Sequence, residues 1–289
     1  MVLRKACCLV VASGILTFAA VSTLKVSIRE YTVPTPNSRP HDPTVAPDGA
    51  LWFTGQGANE IGRLDPSTGA FKEYSLKTPN SGPHGLVADQ QGNIWFTAIS
   101  GGYVGKLDPR TGEIQEYRPS DGEEIDPHTP IFDHTGILWF TNEQTNYIGR
   151  LDPATGKMKM KPVPTPHAVP YGIAVTKSNL VIFCEFGTNK LASIDPKTMA
   201  IREYTLSSSA ARPRRLAPAP DGTIYYTDYA RGYLGHFDPA TGKLLNEWAS
   251  PGGAESHPYG IAVTANGAEA TCTWVGVEKR LVNLFERRA

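Results

Sequence analysis

The sequence has little of what marks proteins that bind nucleic acids or anionic membranes. Its 28 basic residues are matched by 28 acidic ones, and the two signs are mixed along the chain. This balance gives no electrostatic footprint for a polyanionic partner. With 289 residues, 40% hydrophobic and 19% charged, the chain can bury a large core. We therefore expect a globular protein that binds no nucleic acid.

Cysteine is scarce, and the sequence contains no CxxC pair that would bind zinc. Two of the four cysteines, Cys7 and Cys8, lie in the N-terminal segment. The other two, Cys184 and Cys272, lie in apolar, strand-like stretches far apart in the chain. This context favours two buried thiols over a disulfide.

Long apolar runs are lacking beyond the N-terminus. There, two basic residues precede an uncharged stretch, residues 6–21, which ends in small side chains. This pattern is typical of a signal peptide and predicts cleavage after Ser22. We expect residues 1–22 to be removed on export and residues 23–289 to form one secreted or periplasmic domain. An uncleaved membrane anchor is the alternative, although the run is short for a membrane span.

Sustained helical periodicity is also lacking, and in its place the chain has an internal repeat of about 43 residues. One position, directly after a proline, recurs six times at intervals of 43, 44, 43, 43 and 45 residues. We call it the post-proline position. Its residues are His41, His84, His128, Tyr171, Arg214 and Tyr259. A repeat of this length predicts an architecture of stacked or radial units.

Three short motifs recur inside these repeats. An aromatic strand motif, such as Trp-Phe-Thr, occupies residues 52–54, 95–97, 139–141, 182–184 and 225–227. A glycine-centred strand and an Asp-Pro turn follow it, as at residues 61–64 and 65–69. The turn chemistry is that of a hairpin loop, and the aromatic and β-branched segments favour strands. Each repeat thus supplies four antiparallel strands, and their radial arrangement predicts an all-β fold, a six-repeat β-propeller.

The two ends of the chain bear on how this ring closes. Residues 27–32 match the outermost strand of a repeat, such as residues 201–205, yet no repeat precedes them. The last repeat, from Pro258 onward, supplies at most three strands. The N-terminal strand is therefore predicted to complete that blade and remove an open edge. Either the sixth blade is divergent, or the chain is a shortened version of a longer propeller.

Across roughly residues 27–265 the sequence resembles the virginiamycin B lyase (streptogramin lyase) family. The resemblance lies in Pro-His-Gly at residues 83–85, Asn-Ile-Trp-Phe-Thr at 93–97 and Ile-Gly-Arg-Leu-Asp at 61–65. It implies a seven-bladed propeller that opens cyclic streptogramin B antibiotics by elimination, with magnesium at the central opening. This chain would then be a carbon–oxygen lyase of antibiotic resistance, with Ca²⁺ as the alternative cation.

The resemblance also implies a reactive site in the second and third repeats. In the family, post-proline histidines of two neighbouring blades face the opening, one carboxylate precedes the catalytic histidine and another follows its Trp-Phe strand. These positions hold His84, Asp126, His128 and Glu143 here. His128 and Glu143 are accordingly predicted to be catalytic, and His84, Asp126 and Glu143 to bind the metal. A histidine near a carboxylate can act as a base at neutral pH.

Four further residues are predicted to bind substrate at the central opening. They are His41, Glu185, Arg214 and Asp228. His41 and Arg214 occupy the post-proline position, whereas Glu185 and Asp228 follow their strands by the same short offset as Glu143. Arg214 also belongs to a basic cluster at residues 212–215 that can bind a carboxylate or phosphate. A solvated surface is the alternative for such arginines.

The residues alone leave three function classes open. A lyase acting on a cyclic depsipeptide ester yields a product isomeric with its substrate. A metal-dependent hydrolase of the gluconolactonase type adds water, and a non-catalytic binding module turns nothing over. A histidine after proline can also merely satisfy backbone groups in a turn. We expect a monomer that binds a small cyclic ester or peptide and has no membrane role beyond export.

Overall fold

A computed structural model describes residues 29–264, 270–274 and 281–282, the last two stretches as backbone only. Contacts divide the chain into Met1–Thr32 and Val33–Ala289. In the first unit only residues 29–32 are described, and they form no strand. The predicted closing strand is therefore not formed in its described part. Its first two residues and the predicted signal peptide, residues 1–22, lie outside the described residues.

The second unit consists of six antiparallel sheets that follow one another along the chain, one for each sequence repeat. Five are four-stranded, and in each the consecutive strands are neighbours. Their strands are β1 (Pro40–Val45), β2 (Leu51–Gly55), β3 (Glu60–Leu64) and β4 (Phe71–Ser75); β5 (Pro83–Ala88), β6 (Ile94–Ala98), β7 (Tyr103–Leu107) and β8 (Ile114–Tyr117); β9 (Pro127–Phe132), β10 (Leu138–Asn142), β11 (Tyr147–Leu151) and β12 (Met158–Pro162); β13 (Pro170–Val175), β14 (Val181–Glu185), β15 (Lys190–Ile194) and β16 (Ile201–Thr205); β17 (Pro213–Pro218), β18 (Ile224–Asp228), β19 (Tyr233–Asp238) and β20 (Lys243–Ala249).

The sixth sheet has three strands, β21 (Pro258–Val263), β22 (Ala270–Trp274) and the two-residue β23 (Leu281–Val282). The first strand of each sheet contacts the first strand of the next, from β1 through β21. This radial packing confirms the predicted propeller blades and the divergence of the last one. A single turn of 3₁₀ helix, Gly253–Ser256, precedes the sixth sheet. No helix in the described part of the chain is long and apolar enough to cross a bilayer.

The glycine-centred motif is explained by a contact between neighbouring strands. Phe53 on β2 pairs with Gly62 on β3, and a Cβ added at Gly62 would lie 2.1 Å from the phenyl ring. The same pairing recurs for Phe96 with Gly105, Phe140 with Gly149, and Tyr226 with Gly235. In these four blades glycine is required because the core aromatic ring occupies the space that a side chain would fill, whereas in the fourth blade Ala192 lies opposite Phe183.

The threonine of the aromatic strand motif ties each blade to the next near the axis. Thr97 accepts a hydrogen bond from the Gly85 N–H of its own blade at 2.9 Å and donates to the His128 carbonyl of the following blade at 2.7 Å. Equivalent donations run from Thr54 to His84, from Thr141 to Tyr171 and from Thr227 to Tyr259. We call these bonds the threonine staples. Because their acceptors are post-proline carbonyls, the staples fix the backbone from which the central side chains project.

In the fourth blade Cys184 takes the place of the threonine, and it is a buried free thiol. A thiol is a weaker hydrogen-bond donor than a hydroxyl group, so we expect the junction between the fourth and fifth blades to be held less tightly than those with a threonine. The side chain of Cys272, the other cysteine predicted to be buried, lies outside the described residues.

The buried tryptophans of the first three blades differ in how their indole N–H groups are satisfied. Trp95 and Trp139 donate at 2.9 Å to Asp89 and Asp133. Trp52 Nε1 is buried without a hydrogen-bond partner. The first repeat has Ala46 where the other two have the aspartate, so the partner is missing from the sequence.

Candidate functional site

The post-proline side chains are directed towards the axis by an irregularity at the start of each first strand. In every blade the pairing register between the first two strands shifts within the three residues after the opening proline, as between Pro83 and Leu86. A bulge of this kind re-aims side chains. Glycine after the histidine is also required in the second blade, because a Cβ at Gly85 would lie 2.5 Å from the His128 carbonyl oxygen.

Side chains from four consecutive blades pack against one another around the axis, with neighbouring rings tilted by 40–49°. The ring centroids of His41 and His84 lie 4.1 Å apart, those of His84 and His128 4.0 Å apart, and those of His128 and Tyr171 4.2 Å apart. The hydroxyl groups of Tyr171 and Tyr259 lie 3.0 Å apart. The structure thus gathers both predicted site histidines, together with His41, into one continuous aromatic wall.

His128 lies between a carboxylate and a hydroxyl group. Its Nε2 is 3.6 Å from Glu143 Oε2, and its Nδ1 is 2.8 Å from Thr129 Oγ1. Arg215 Nη1 donates to the same Thr129 oxygen at 3.1 Å. A hydroxyl oxygen has two lone pairs, so Thr129 can accept from both Arg215 and His128 Nδ1–H. In that tautomer the Nε2 lone pair faces Glu143.

Both site histidines are neutral at neutral pH. Burial lowers the pKa of His84 to about 4, although the neighbouring Asp42 carboxylate acts in the opposite direction. Burial also lowers the pKa of His128 far below its ordinary value, and the charge of His84 once it is protonated and that of Arg215 lower it further. Neutral imidazoles keep a lone pair with which to accept a proton or bind a metal ion.

Asp126 and Glu143 lie close enough to repel each other. Burial raises the pKa of the Glu143 carboxyl, and the Asp126 charge raises it further. Asp126 accepts hydrogen bonds from the Gln144 N–H at 2.6 Å, the Thr145 N–H at 3.0 Å and the Thr145 hydroxyl at 2.5 Å. It therefore holds the loop that presents Glu143. A carboxylate has about four lone-pair sites, so one remains after these three bonds.

Ligand-type side chains also gather on the other side of His84. Among the described residues, one group of three has its ligand atoms within 4.8 Å of one another, and it comprises His41, Asp42 and His84. The predicted metal set differs, since only His84 belongs to both. The structure thus places His84 between His41 and His128, with Asp126 and Glu143 on the His128 side.

Arg214 is surrounded by aromatic rings. Its guanidinium carbon lies 4.3–4.9 Å from four ring centroids, those of Tyr171, Phe186, Tyr229 and Tyr259. Its Nη2 donates to the Tyr171 hydroxyl at 3.0 Å, while its Nε is buried without a partner. Arg214 therefore carries a fixed positive charge within the apolar half of the centre.

The sequence predicted that Glu185 and Asp228 follow their strands by the same offset as Glu143. The strand pairing shows that both lie one residue earlier. They pair with Pro170 and Pro213, as Asn142 pairs with Pro127, so they precede the register of Glu143. Both are fully buried. Thr188 donates to Glu185, whose pKa burial raises to about 8, with the Glu203 charge contributing.

Asp228 likewise has its partners close at hand, since Arg231 Nε donates to its carboxylate at 2.6 Å. The Arg212 N–H donates to the other oxygen at 3.0 Å. The carboxylates of Glu185 and Asp228 are therefore bonded within their own blades, because a residue that pairs with the opening proline still lies inside the sheet.

Sequence reasoning overlooked Phe186 and Tyr229, the residues that do share the register of Glu143. Phe186 contacts Tyr171, with ring centroids 5.4 Å apart, and Tyr229 contacts Phe186 at 5.7 Å. The signal was available, because both follow the first residue of the aromatic strand motif by four positions, as Glu143 follows Trp139.

A charged bridge across the centre was also overlooked. Arg215 of the fifth blade lies 3.6 Å from the Asp42 carboxylate of the first blade, in addition to its bond to Thr129 of the third. Burial alone would raise the pKa of Asp42, but the His41 hydrogen bond and the Arg215 charge outweigh it and lower this pKa. Asp42, Thr129 and Arg215 all occupy the position directly after the post-proline residue, in the first, third and fifth repeats. In the second, fourth and sixth repeats that position is glycine.

Comparisons with known proteins agree on one family. The sequence profile of the virginiamycin B lyase family matches residues 17–282. A crystal structure of a catalytically inactive virginiamycin B lyase from Staphylococcus aureus, with quinupristin, is 28% identical and superimposes with a TM-score of 0.78. The similarity covers 87% of this chain and 82% of that one. A streptogramin B lyase structure is 33% identical, with a TM-score of 0.76 and coverage of 85% and 80%.

More distant similarity shows the fold alone. A structure described as a gluconolactonase is 15% identical, with a TM-score of 0.59 and coverage of 85% of this chain and 90% of that one. No curated protein sequence matches the chain significantly.

Proposed function

This chain belongs to the virginiamycin B lyase family, and we propose that it opens the ester of a cyclic, streptogramin B-like depsipeptide by elimination. The observation that carries the proposal is the juxtaposition of the neutral His128 imidazole and the Glu143 carboxylate, 3.6 Å apart beside the axis. This pairing suits proton abstraction, because the carboxylate stabilises the imidazolium that forms. A relative of the same fold is described with quinupristin, which supports a ligand of that type.

His128 Nε2 would be the base. It takes the proton from the carbon that lies between a carbonyl group and the carbon bearing the ester oxygen. The electron pair of the broken C–H bond forms a carbon–carbon double bond, and the bond from the neighbouring carbon to the ester oxygen breaks. The ester oxygen leaves as a carboxylate, so the ring opens without water and the product is isomeric with the substrate.

The donor chemistry around Glu143 fits a divalent cation. Glu143 and Asp126 repel each other, and the raised pKa of Glu143 reflects that repulsion as well as burial. One Mg²⁺ or Ca²⁺ would neutralise this charge with the oxygen ligands that it prefers. Asp126 and Glu143 would hold the ion, whereas His84, the third predicted ligand, gathers with His41 and Asp42 instead. When bound, the cation supplies a charge that polarises the ester and its neighbouring carbonyl.

The surface beside His128 suits a ring-shaped, partly aromatic peptide. Tyr171 packs against His128, and Phe186 and Tyr229 continue the aromatic surface around Arg214. Aromatic side chains give a large apolar contact area, and the Arg214 charge can orient a carbonyl or carboxylate group of the substrate. His41 would contact substrate from the first blade, since its side chain is 31% exposed.

The test is to incubate the purified full-length chain with a streptogramin B and Mg²⁺, with and without chelator, and to measure the product mass. Elimination leaves the mass unchanged, hydrolysis of the gluconolactonase type adds one water, and a binding module gives no product. His128→Ala should abolish turnover, whereas the matched control His134→Ala, at an exposed position, should not. An unchanged rate in His128→Ala would eliminate the proposed base.

A further inference from the structure

We infer that His41, Asp42 and His84 form a second metal site, which binds a divalent transition ion such as Zn²⁺. One ligand atom from each residue lies within 4.8 Å of the other two. His41 and Asp42 come from β1 of the first blade, and His84 comes from β5 of the second. The site lies beyond the Asp126 and Glu143 carboxylates and does not depend on the proposed lyase reaction.

An unsatisfied atom of His84 points to a missing ligand. His84 is only 6% exposed, and its Nδ1 is buried without a hydrogen-bond partner. Buried polar atoms almost always have a partner, so an orphan in a cluster of ligand-type side chains needs an explanation.

The Asp42 carboxylate has an outer partner, Arg215, of the kind that orients carboxylates in metal sites. Its Oδ1 lies 3.0 Å from His41 Nδ1, and its Oδ2 lies 3.6 Å from Arg215 Nη2. An ion would displace the proton shared with His41 and leave the Arg215 contact in place. Outer partners of this kind orient the carboxylates that bind metal ions.

The donor set selects the class of ion. Two imidazole nitrogens and one carboxylate favour zinc and its neighbours, whereas magnesium favours oxygen ligands. In a tetrahedral zinc site the ligand atoms lie ~3.3 Å apart, given zinc–nitrogen bonds near 2.0 Å. The ligand atoms must therefore approach one another by up to about 1.5 Å to bind the ion. His41 is partly exposed, so its ring can move and solvent can deliver the ion.

The test is to titrate the full-length chain, free of any affinity tag, with Zn²⁺ by calorimetry and with Co²⁺ by visible absorption. We expect a Kd on the order of 1 µM for Zn²⁺ and a weakening of at least ~100-fold in His41→Ala. His41→Cys should restore binding and add a sulfur-to-cobalt charge-transfer band. His134→Ala should bind Zn²⁺ as the wild type does, because His134 is an exposed histidine outside both proposed sites.

Zn²⁺ should also raise the melting temperature of the wild type, because the ion would link the first two blades, and it should not raise that of His41→Ala. Two outcomes would overturn the site: a wild type that fails to bind either ion at 1 mM, or a His41→Ala protein that binds them equally well. Neither outcome bears on lyase activity, which is measured separately by product mass with Mg²⁺.

Discussion

The charged bridge between Asp42 and Arg215 allows the central network to be tested quantitatively. The charged atoms lie 3.6 Å apart, and the two side chains are 22% and 15% exposed. Coulomb's law at an effective dielectric constant of 20 gives about 4.6 kcal/mol for this separation. Solvent contact screens part of it, so we expect a coupling free energy of ~2 kcal/mol. Asp42→Asn and Arg215→Met should each destabilise the protein by about 3 kcal/mol, because each leaves one buried charge unpaired.

Urea unfolding of the wild type, the two single variants and the double variant measures this coupling. The measurements are made with chelator, so that no ion bound beside Asp42 contributes. The double variant should lose ~2 kcal/mol less than the sum of the single losses. Additive losses would refute the bridge as an energetic link between the first and fifth blades.

The Arg215 variants also distinguish a role in orienting His128 from a role in the stability of the fold. Arg215 lowers the pKa of His128 by its charge and bonds to Thr129, which orients the imidazole. In Arg215→Met the acidic limb of the kcat/KM profile should therefore move to higher pH, because the His128 pKa rises. Arg215→Lys keeps the charge and should show a smaller shift. A profile that does not move in Arg215→Met would leave Arg215 with a structural role only.

Three further outcomes follow from the contacts at the centre. Ala46→Asp should raise the free energy of unfolding by ~1 kcal/mol, because it gives the buried Trp52 N–H an acceptor; a loss on urea unfolding would contradict this. Thr97→Val should cost about 2 kcal/mol and lower the elimination rate by displacing His128, and Thr97→Ser should recover both. As the pH falls from 6.5 to about 4, His84 takes up a proton in the unfolded chain but stays neutral in the folded one, so the free energy of unfolding falls by up to ~3 kcal/mol. In His84→Asn the plot of this free energy against pH should be flatter over the same range.

The blades could be predicted from sequence because their determinants are local. A fixed spacing between prolines, aromatic motifs and Asp-Pro turns specifies strands and hairpins within about 43 residues. The facing of Phe96 onto Gly105 is likewise a contact between adjacent strands. The position of His128 followed from the repeat, since equivalent residues of a ring must converge on its axis.

The central contacts could not be predicted in this way because they join distant parts of the chain. Arg215 reaches Asp42 and Thr129 only after five blades have closed around the axis. The misplacement of Glu185 has a smaller cause, a one-residue ambiguity where the strand ends. Such a slip moves a side chain from the opening into the sheet, because successive residues of a strand point in opposite directions.

Because Cys184 stands where the other described junctions have a threonine, the contacts between neighbouring blades are not the same all round the ring. At the other described junctions a threonine hydroxyl donates a hydrogen bond to the next blade. At the junction after the fourth blade, aromatic side chains pack around Arg214 instead. Phe186 and Tyr229 flank that junction, and Phe186 also contacts Tyr171, which packs against His128. We therefore expect a local opening of the ring to begin between the fourth and fifth blades, while the threonine staples hold the backbone of His84 and His128 in place.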